Sequence, residues 1–215
     1  MTPVPVILSS PSGGGKTTIA KRLLQVRDDI GYSVSCTTRP PREGEVEGRD
    51  YYFRSRKEFE RGRKSGEFAE SAEVHGHLYG TLRSEVERVL ASGRNVIMDI
   101  DVQGARQFKT VFPSSVLVFI LPPSAKVLID RLEARKTENT QSLIRRLRSA
   151  KEELKAIDLY PYLVVNHEVE AAVSEVSRII DGEGVRSSRG GPLDRKVSEL
   201  IDGIERAMDH YSERQ

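Results

Sequence analysis

The sequence contains very little cysteine, almost no net charge and no long apolar run, and each of these features excludes a class of protein. Cys36 is the only cysteine, so an internal disulfide and a cysteine zinc site are excluded and a reducing compartment is favoured. Lysine and arginine total 34 against 32 aspartate and glutamate, and the net charge of +2 gives no reason to expect a nucleic-acid or membrane partner. No segment approaches the roughly 20 apolar residues of a membrane-spanning helix.

The N-terminal apolar run is too short for a secretory signal. No positive charge precedes it, and a loop pattern follows it after about five residues. With 215 residues, of which 37% are hydrophobic and 31% charged, the chain is long enough to bury a sizeable core in one domain. We therefore expect a globular protein that works in the cytoplasm.

Short apolar runs alternate with helical patterns along most of the chain. The runs are typical of strands covered on both faces, and they lie at residues 4–8, 96–100, 116–121 and 163–165. The helical patterns lie at residues 17–26, 82–91, 125–134, 141–157 and 168–180. This order predicts the α/β fold class, with a parallel sheet core between helices. Residues 33–80 are more polar, and their short extended pieces and helical pattern at 57–64 predict a small mixed insert.

A glycine-rich stretch at residues 9–18, SSPSGGGKTT, predicts a phosphate-binding loop. It follows a predicted strand and opens a predicted helix, as the pattern G-x-x-x-x-G-K-[ST] requires. Its glycines let backbone N–H groups turn toward an anion, Lys16 adds a positive charge for phosphates, and Thr17 offers a hydroxyl ligand to Mg²⁺. The alternative is a flexible turn before an ordinary helix cap. The residues predicted to bind ATP here are Ser12, Gly13, Gly14, Gly15, Lys16, Thr17 and Thr18.

Ser10 occupies the position of the first glycine in this pattern. Because Ser10 precedes Pro11, its backbone is already biased toward an extended conformation that a residue with a side chain can adopt. We therefore expect the loop to tolerate this serine.

Two acids end the apolar stretch NVIMDID at residues 95–101. Asp99 and Asp101 are two apart, so in a strand they project to the same face. Ligands of parallel sheets bind at the carboxyl ends of the strands. Asp99 fits a carboxylate that holds Mg²⁺ through water, and Asp101 lies closer to the strand end and is available to a substrate. The alternative is a pair of solvated carboxylates.

Two arginines in the insert predict a site for a second, phosphorylated substrate. Arg39 and Arg42 flank two prolines, which hold the backbone extended. A pair of guanidinium groups matches the geometry of a phosphate. The alternative is that both arginines belong to ordinary solvated surface.

Three further stretches, SVSCTTRPPREGEVEGRDYYF, GEFAESAEVHGHLYGT and VIMDIDVQGA, resemble the guanylate kinase family in order and spacing when taken with the loop at 9–18. The resemblance extends from about residue 4 to about residue 180. It implies the P-loop nucleoside monophosphate kinase fold, in which a parallel sheet with helices on both faces carries a mixed GMP-binding insert and a helical lid. It also implies transfer of the ATP γ-phosphoryl group to GMP, with Mg²⁺ as cofactor and ATP and GMP as the small-molecule substrates.

The family pattern also implies the residues of the GMP site. Its arginines and tyrosines match positions that bind the GMP phosphate, and Glu70 and Asp101 match acceptors of hydrogen bonds from guanine. Serine and threonine hydroxyls can serve the base edge. The matching positions are Ser35, Arg39, Arg42, Tyr51, Glu70, Tyr79, Thr81, Asp99 and Asp101.

The resemblance further implies an arginine-bearing lid over ATP, and Asn166 matches a position near the adenine. Ala134 and Lys136 replace glycines that usually flank the central lid arginine. The alternative for Arg145, Arg146 and Arg148 is a solvated basic helix face. Together with the loop lysine and an insert arginine, the lid gives the predicted catalytic set: Lys16, Arg39, Arg131, Arg135 and Arg146.

A functional division of the chain follows from the same match. The predicted parts are a core at residues 1–34, 82–124 and 151–182, a GMP-binding insert at 35–81, a lid at 125–150, and a linker with an amphipathic helix at 183–215. Apolar residues of the last part form one helical stripe from Val197 to Tyr211. The stripe is expected to pack on its own domain or on a dimer mate, so the protein is predicted to be a monomer or a homodimer.

Two other functions remain open at this point. One is a catalytically inactive guanylate-kinase-like interaction module, although the ATP loop and lid arginines that such modules can lose are present. The other is a related P-loop kinase with a different phosphorylated acceptor. His75 and His77 resemble a metal-binding pair, but the glycines around them favour a turn.

Overall fold

The computed structural model describes residues 3–74, 76–134, 140–181 and 192–212. The chain forms two compact units. The first unit comprises Met1–Ile7 and Leu23–Val116, and the second comprises Leu8–Arg22 and Leu117–Gln215. Among the described residues, no helix combines the length and apolarity needed to cross a membrane.

Strands and helices alternate through most of the described chain. The strands are β1 (Pro5–Ser9), β2 (Ile30–Tyr32), β3 (Ser35–Thr37), β4 (Tyr52–Phe53), β5 (Phe68–Val74), β6 (His77–Leu82), β7 (Asn95–Asp99), β8 (Val116–Leu121) and β9 (Tyr162–Val165). The helices are α1 (Lys16–Val26), α2 (Arg56–Lys64), α3 (Arg83–Ala91), α4 (Val102–Val111), α5 (Ala125–Glu133), α6 (Thr140–Leu154), α7 (Val169–Asp181) and α8 (Pro192–Ser212), and a short 3₁₀ helix spans Ile157–Leu159.

In the first unit, a parallel pair of strands lies beside the start of β1. Strand β2 pairs with β7, with Ile30 opposite Asn95. The backbone N–H of Val96 donates to the carbonyl of Val4 at 3.2 Å, which continues the order β2-β7-β1. The central residues of β7 are buried, and Gly31 lets Val89 of α3 approach the sheet, since a Cβ there would lie 2.5 Å from Val89 Cγ1. This end of the unit is therefore a strand layer covered by a helix.

A second sheet in the first unit has the strand order β4-β3-β6-β5. Strands β5 and β6 form an antiparallel hairpin, and Gly76 takes a positive φ of 81° at its turn. Register places Thr81 opposite Ser35 on one side and opposite Glu70 on the other. Three residues of the predicted GMP site therefore lie side by side across three strands.

An apolar cluster lies under this sheet. Phe59 of α2 stacks on Phe68 of β5 with ring centroids 4.2 Å apart, and Leu78, Leu82 and Cys36 complete the cluster. Cys36 is fully buried, and this burial is the main cause that raises the pKa of its thiol to about 11. The only cysteine is thus a neutral core residue.

In the second unit, strands β8 and β9 are parallel, with Val118 opposite Tyr162 and Leu121 opposite Val165. Residues 117–121 of β8 are all buried, as the continuous apolar run predicts for a strand covered on both faces. The ring of Phe119 meets that of Tyr160 edge to face, 4.9 Å between centroids. In the sheet order, β8 lies between β1 and β9.

The C-terminal helix α8 packs on α5 and α6. Leu200 and Ile204, which belong to the predicted apolar stripe, are buried. A side chain at Gly203 would collide with Ala125 at the start of α5, so the two helices approach closely there. Lys151 of α6 forms an ion pair with Glu205 of α8. The stripe thus packs on its own chain, which is the first of the two arrangements expected from the sequence.

Most predicted elements match the observed ones, and the differences are local. The helix predicted at 141–157 ends at Leu154, because the chain continues into a short 3₁₀ helix. Helix α4 and strands β2 and β5 were not predicted. The predicted turn at residues 75–80 is shorter than expected, since β6 begins at His77, while His75 lies outside the described residues. Within the described residues, no group of three or more histidine, cysteine or acidic side chains is arranged to hold a metal ion.

The packing of α8 predicts that Leu200→Ala destabilises the protein. Leu200 is 1% exposed, and truncation of a buried leucine leaves a cavity that typically costs about 2–5 kcal/mol. We expect a lower midpoint in urea and a lower Tm. Glu199→Ala is the matched control, since it changes an exposed neighbour on the same helix. Identical unfolding curves for the two variants would contradict the packing of α8.

Candidate functional site

The glycine-rich loop joins β1 to α1 in the second unit. Gly13 and Gly15 have positive φ angles of 85° and 99°, which residues with side chains rarely adopt. The N–H of Gly14 donates to the carbonyl of Pro11 at 2.8 Å, which closes the turn. Helix α1 begins at Lys16, so the loop ends at a helix N-terminus, where anions bind favourably. The predicted strand, loop and helix therefore occur in the predicted order.

Ser10 fits into this loop because Gly14 has no side chain. Ser10 is buried, and its hydroxyl donates to the carbonyl of Pro11 at 2.9 Å. A Cβ added at Gly14 would lie 2.7 Å from the Cβ of Ser10, which is too close for carbon atoms. The loop therefore accommodates a serine in place of its first glycine because the residue four positions later is a glycine.

Asn166, which follows the last residue of β9, stabilises the loop through its side chain. It is 2% exposed, its backbone N–H donates to the carbonyl of Leu121 at 2.8 Å, and its side-chain Nδ2 donates to the carbonyl of Gly14 at 3.0 Å. A side chain at Gly15 would collide with the same amide nitrogen. Asn166 therefore contacts the phosphate loop directly, a contact that the sequence did not predict.

Helices α5 and α6 bring two predicted lid arginines to the loop. Arg131 makes long contacts to the carbonyls of Gly14 and Asn166, at 3.5 and 3.4 Å. Arg146 donates to the hydroxyl of Ser12 through Nε at 3.2 Å and Nη2 at 3.1 Å. Glu153 accepts from the backbone N–H of Ser12 at 3.0 Å. Because Arg146 and Glu153 are about two helical turns apart, both reach Ser12 from one face of α6.

Lys16, Thr17 and Thr18 form the first turn of α1. Lys16 is half-buried, whereas Thr17 and Thr18 are exposed. Arg135, which was predicted to belong to the lid, lies outside the described residues. All the other residues predicted for ATP lie in the second unit, which brings the loop, Asn166, Arg131 and Arg146 together.

The residues predicted to recognise guanine lie in the first unit. Thr81 donates its hydroxyl to Glu70 Oε1 at 2.7 Å, and both side chains are buried. Asp101 caps α4, since its Oδ1 accepts from the backbone N–H of Gly104 at 2.7 Å. A Cβ added at Gly104 would lie 2.8 Å from Glu70 Oε2 and 3.4 Å from Asp101 Oδ1. Gly104, which sequence reasoning missed, thus leaves room for two carboxylates in one place.

Glu70 has a strongly perturbed acidity. Burial raises the pKa of its carboxyl to about 7, and the nearby charge of Asp101 contributes in the same direction. The hydrogen bond from Thr81 opposes this rise in pKa without cancelling it. A half-neutral carboxyl at physiological pH, in a polar cluster, is typical of a binding site.

The predicted phosphate-binding residues of the insert form a second cluster. The guanidinium of Arg39 lies 5.4 Å from the ring centroid of Tyr51, and the ring of Tyr51 meets that of Tyr79 with centroids 6.0 Å apart. Arg39 also donates to both carboxylate oxygens of Glu45, at 2.7 and 2.9 Å, and this contact raises the pKa of Arg39 above its usual range. The side chain of Arg42 is exposed.

Asp99 ends strand β7 and is half-buried. Its negative charge adds to the effect of burial, which is the larger cause, in raising the pKa of Tyr32 to about 12. Ser35 is half-buried at the start of β3. The predicted GMP residues therefore all lie in the first unit. We name Glu70, Thr81 and Asp101 the guanine cluster, and Arg39, Tyr51 and Tyr79 the phosphate cluster, after their predicted roles.

These features define the class of protein. A glycine-rich loop that opens a helix with Lys16 and Thr17, and that two arginines contact, is typical of a P-loop nucleotide-binding protein. A buried carboxyl, Glu70, and a half-buried one, Asp101, lie beside the hydroxyl of Thr81 and form an arrangement suited to a base with several N–H donors.

Comparison with known proteins narrows the class to one family. A family model described as guanylate kinase matches residues 2–183. The guanylate kinase of Symbiobacterium thermophilum is 46% identical over 86% of this chain and 88% of its own length, and that of Nitrosomonas europaea is 43% identical over 85% and 91%. A crystal structure of guanylate kinase from Anaplasma phagocytophilum has a TM-score of 0.67 and 35% identity, covering 93% of this chain and 96% of that one. The chain therefore belongs to the guanylate kinase family, and the predicted family and fold class are confirmed.

The fit of Ser10 against Gly14 predicts the behaviour of the loop. Ser10→Gly should change the KM for ATP by no more than about twofold, because the phosphate-facing part of the loop is untouched. Gly14→Ala should raise it by about tenfold or more, because the new methyl group meets Ser10 and the Pro11 carbonyl. The double variant should recover part of that loss, and steady-state kinetics with varied ATP measures all three.

A large fall in the KM of the Ser10→Gly variant would show instead that the serine strains the loop. Equal KM values for Gly14→Ala with and without Ser10 would show that the clash lies with Pro11 alone.

Proposed function

We propose that this chain catalyses transfer of the γ-phosphoryl group of ATP to GMP, giving ADP and GDP, with Mg²⁺ as cofactor. The observation that carries the proposal is the guanine cluster in the first unit, where Glu70, Thr81 and Asp101 meet beside Gly104. Membership of the guanylate kinase family supports the same activity. The predicted kinase activity and the family thus agree.

The guanine cluster supplies acceptors where guanine has donors. Guanine carries N1–H and an exocyclic amine, and the carboxylates of Glu70 and Asp101 accept such bonds. Ser35 and Thr81 add hydroxyls for O6 and the base edge. Adenine presents an acceptor at N1 instead, so binding it would leave a buried carboxylate unpaired at a cost of about 1–3 kcal/mol. The site therefore selects GMP over AMP.

The phosphate cluster supplies the charge for the other end of GMP. Arg39 and Arg42 offer guanidinium donors, and the hydroxyls of Tyr51 and Tyr79 complete the set of donors. The contact of the Arg39 guanidinium with the ring of Tyr51 supports this role, since it helps to hold the guanidinium in place.

The second unit supplies the ATP site. The loop from Ser12 to Thr18 offers Lys16 and backbone N–H groups other than those of Ser12 and Gly14 to the phosphates. Arg131, Arg135 and Arg146 act as the lid arginines. Among the described residues, Oδ1 of Asn166 has no hydrogen-bond partner although it is buried. That free acceptor supports the proposed place of Asn166 near the adenine, whose amino group is a donor.

The residues at the start of α1 and the end of β7 fit Mg²⁺. Thr17 offers a hydroxyl on an exposed helix turn, and Asp99 offers a carboxylate that can hold the ion through water. Both are hard oxygen ligands, and Mg²⁺ usually takes few protein ligands together with phosphates and water. When bound, the ion neutralises charge on the phosphates of ATP.

Phosphoryl transfer asks mainly for positioning and charge neutralisation from these side chains. A phosphate oxygen of GMP forms a bond to the γ-phosphorus while the bond to the β,γ-bridging oxygen breaks, and the electron pair leaves with ADP. The attacking oxygen is already anionic, so no side chain has to act as a general base. Lys16 and the lid arginines stabilise the charge that develops on the transferred group.

The proposal extends to the organisation of the chain. Residues 35–81 act as the GMP-binding insert and residues 125–150 as the lid, on a core formed by residues 1–34, 82–124 and 151–182. The protein acts as a monomer or a homodimer in the cytoplasm. An inactive interaction module is disfavoured, because Lys16, Thr17, Arg131 and Arg146 are all retained.

An assay of ADP release with ATP and Mg²⁺ tests the activity directly. GMP should be turned over, and dGMP probes the role of the ribose. AMP and UMP should give a kcat/KM lower by at least about 100-fold, because neither base presents the adjacent N1–H and exocyclic amine that Glu70 and Asp101 pair. Lys16→Ala should abolish turnover without unfolding the protein. Comparable kcat/KM for AMP, or no turnover of GMP, would overturn the proposal.

The raised pKa of Glu70 predicts a pH dependence of GMP binding. The pKa of the free carboxyl is about 7, and guanine binds the ionised form, so binding weakens as pH falls through 7. The Kd for GMP should rise by about tenfold between pH 8 and pH 6. Calorimetric titration at fixed ionic strength measures it.

Glu70→Gln is the matched control for this experiment. The glutamine cannot titrate. The phosphate of GMP, whose second pKa is about 6, still titrates and contributes to the profiles of both proteins. The wild-type profile should therefore be steeper than that of the variant. Parallel profiles would show that Glu70 does not control binding.

A further inference from the structure

Glu45 lies in the loop that carries the two proposed phosphate-binding arginines, and its contacts tie them together. Both its carboxylate oxygens accept from Arg39 Nη2, and Oε2 also accepts from the backbone N–H of Arg42 at 2.7 Å. In return, the N–H of Glu45 donates to the carbonyl of Arg42 at 3.1 Å. One side chain thus fixes the guanidinium of Arg39 and the backbone of Arg42.

The local backbone explains how Glu45 reaches both partners. Gly44 has a positive φ of 83°, and open space surrounds the position of its missing side chain. This turn folds Glu45 back on Arg42 and toward Arg39. The loop is mostly exposed, yet the side chains of Arg39 and Glu45 are only 11% and 20% exposed. The pair is therefore better shielded and better connected than an ordinary surface ion pair.

The contacts with Glu45 leave donors for a ligand. Arg39 Nη1 donates to the carbonyl of Pro40 at 2.7 Å, and the side chain of Tyr79 also interacts with the Arg39 guanidinium. The guanidinium of Arg42 forms no hydrogen bond or ion pair within the described part of the chain. The loop thus orders two cations three residues apart without neutralising both. Such preorganisation lowers the entropy lost when a ligand binds.

We propose that Glu45 is a positioning residue for the acceptor phosphate, which holds Arg39 and Arg42 in the arrangement that binds the phosphate of GMP. This inference rests on the proposed function. The inference states that Glu45 strengthens the binding of GMP. A carboxylate beside two arginines could also weaken this binding, as a competitor that the phosphate must displace. The backbone contact to Arg42 favours positioning, since a mere competitor for guanidinium groups needs no such bond.

The test is Glu45→Gln in the full chain. Its amide keeps the size of the side chain but places an NH₂ group, itself a donor, against Arg39 or Arg42. The KM for GMP should rise about tenfold, equivalent to about 1.4 kcal/mol, while kcat and the KM for ATP stay within about twofold. Glu45→Asp, which keeps the charge on a shorter side chain, should restore part of the loss.

Binding of guanosine separates positioning from general damage to the fold. Guanosine lacks the phosphate, so its Kd should be the same in wild type and Glu45→Gln, whereas the Kd for GMP should increase. General damage to the insert would weaken the binding of both guanosine and GMP. Glu43→Gln is the matched control, since it removes one negative charge from an exposed position in the same loop, and it should leave both constants unchanged.

A lower KM for GMP in Glu45→Gln would identify Glu45 as a competitor and overturn the inference, as would unchanged GMP binding or equal losses for guanosine and GMP. These outcomes differ from failure of the proposed function. If wild type binds GMP but transfers no phosphoryl group, the proposed activity fails, and the comparison of GMP with guanosine still tests Glu45.

Discussion

The phosphate loop has to present its backbone N–H groups, and a loop with three consecutive glycines has few side chains with which to hold that shape. Its conformation therefore depends on neighbours. Asn166 donates a hydrogen bond to the carbonyl of Gly14. From α6, Arg146 donates to the hydroxyl of Ser12 and Glu153 accepts from its backbone N–H. The residues that support the loop include two proposed lid arginines, Arg131 and Arg146. The same side chains would therefore both hold the conformation of the loop and interact with a phosphate bound to it.

The proposed acceptor site depends on a different physical constraint. It brings two carboxyls together and buries one of them, which is unfavourable in the free protein and raises the pKa of Glu70. The hydroxyl of Thr81 and the absence of a side chain at Gly104 make the arrangement sterically and electrostatically tolerable. Under the proposed function, a base with two adjacent N–H donors removes the remaining cost. Selectivity would then come from a site that is incomplete until that base is bound.

The core elements could be predicted from the sequence because buried parallel strands are continuous apolar runs, as β1, β7 and β8 are. Strand β5 was harder to predict, since Glu70 and Glu73 give it no clear apolar alternation. Helix α4 was missed because its start depends on the capping of Gly104 by Asp101, which only the folded chain reveals.

The same distinction applies to the site. Short motifs gave the loop, Arg39 and the acids at the end of β7, because their spacing along the chain is fixed. The contacts of Glu153 with Ser12 and of Asn166 with Gly14 join residues 141 and 152 positions apart, so no local pattern announces them. The contact of Glu45 with Arg39 is local, but it is one of many acid–arginine pairs in a sequence with 31% charged residues, and nothing in the pattern distinguishes it.

The burial of Cys36 has a practical consequence for experiments on this protein. A thiol reacts through its thiolate, and a fully buried group with a pKa of about 11 offers almost none at neutral pH. A cysteine introduced on the surface can therefore be labelled with a maleimide dye while the native one is left in place. Such a dye beside the proposed GMP-binding insert would report the binding of each nucleotide by its fluorescence, without a cysteine-free background that would disturb the core.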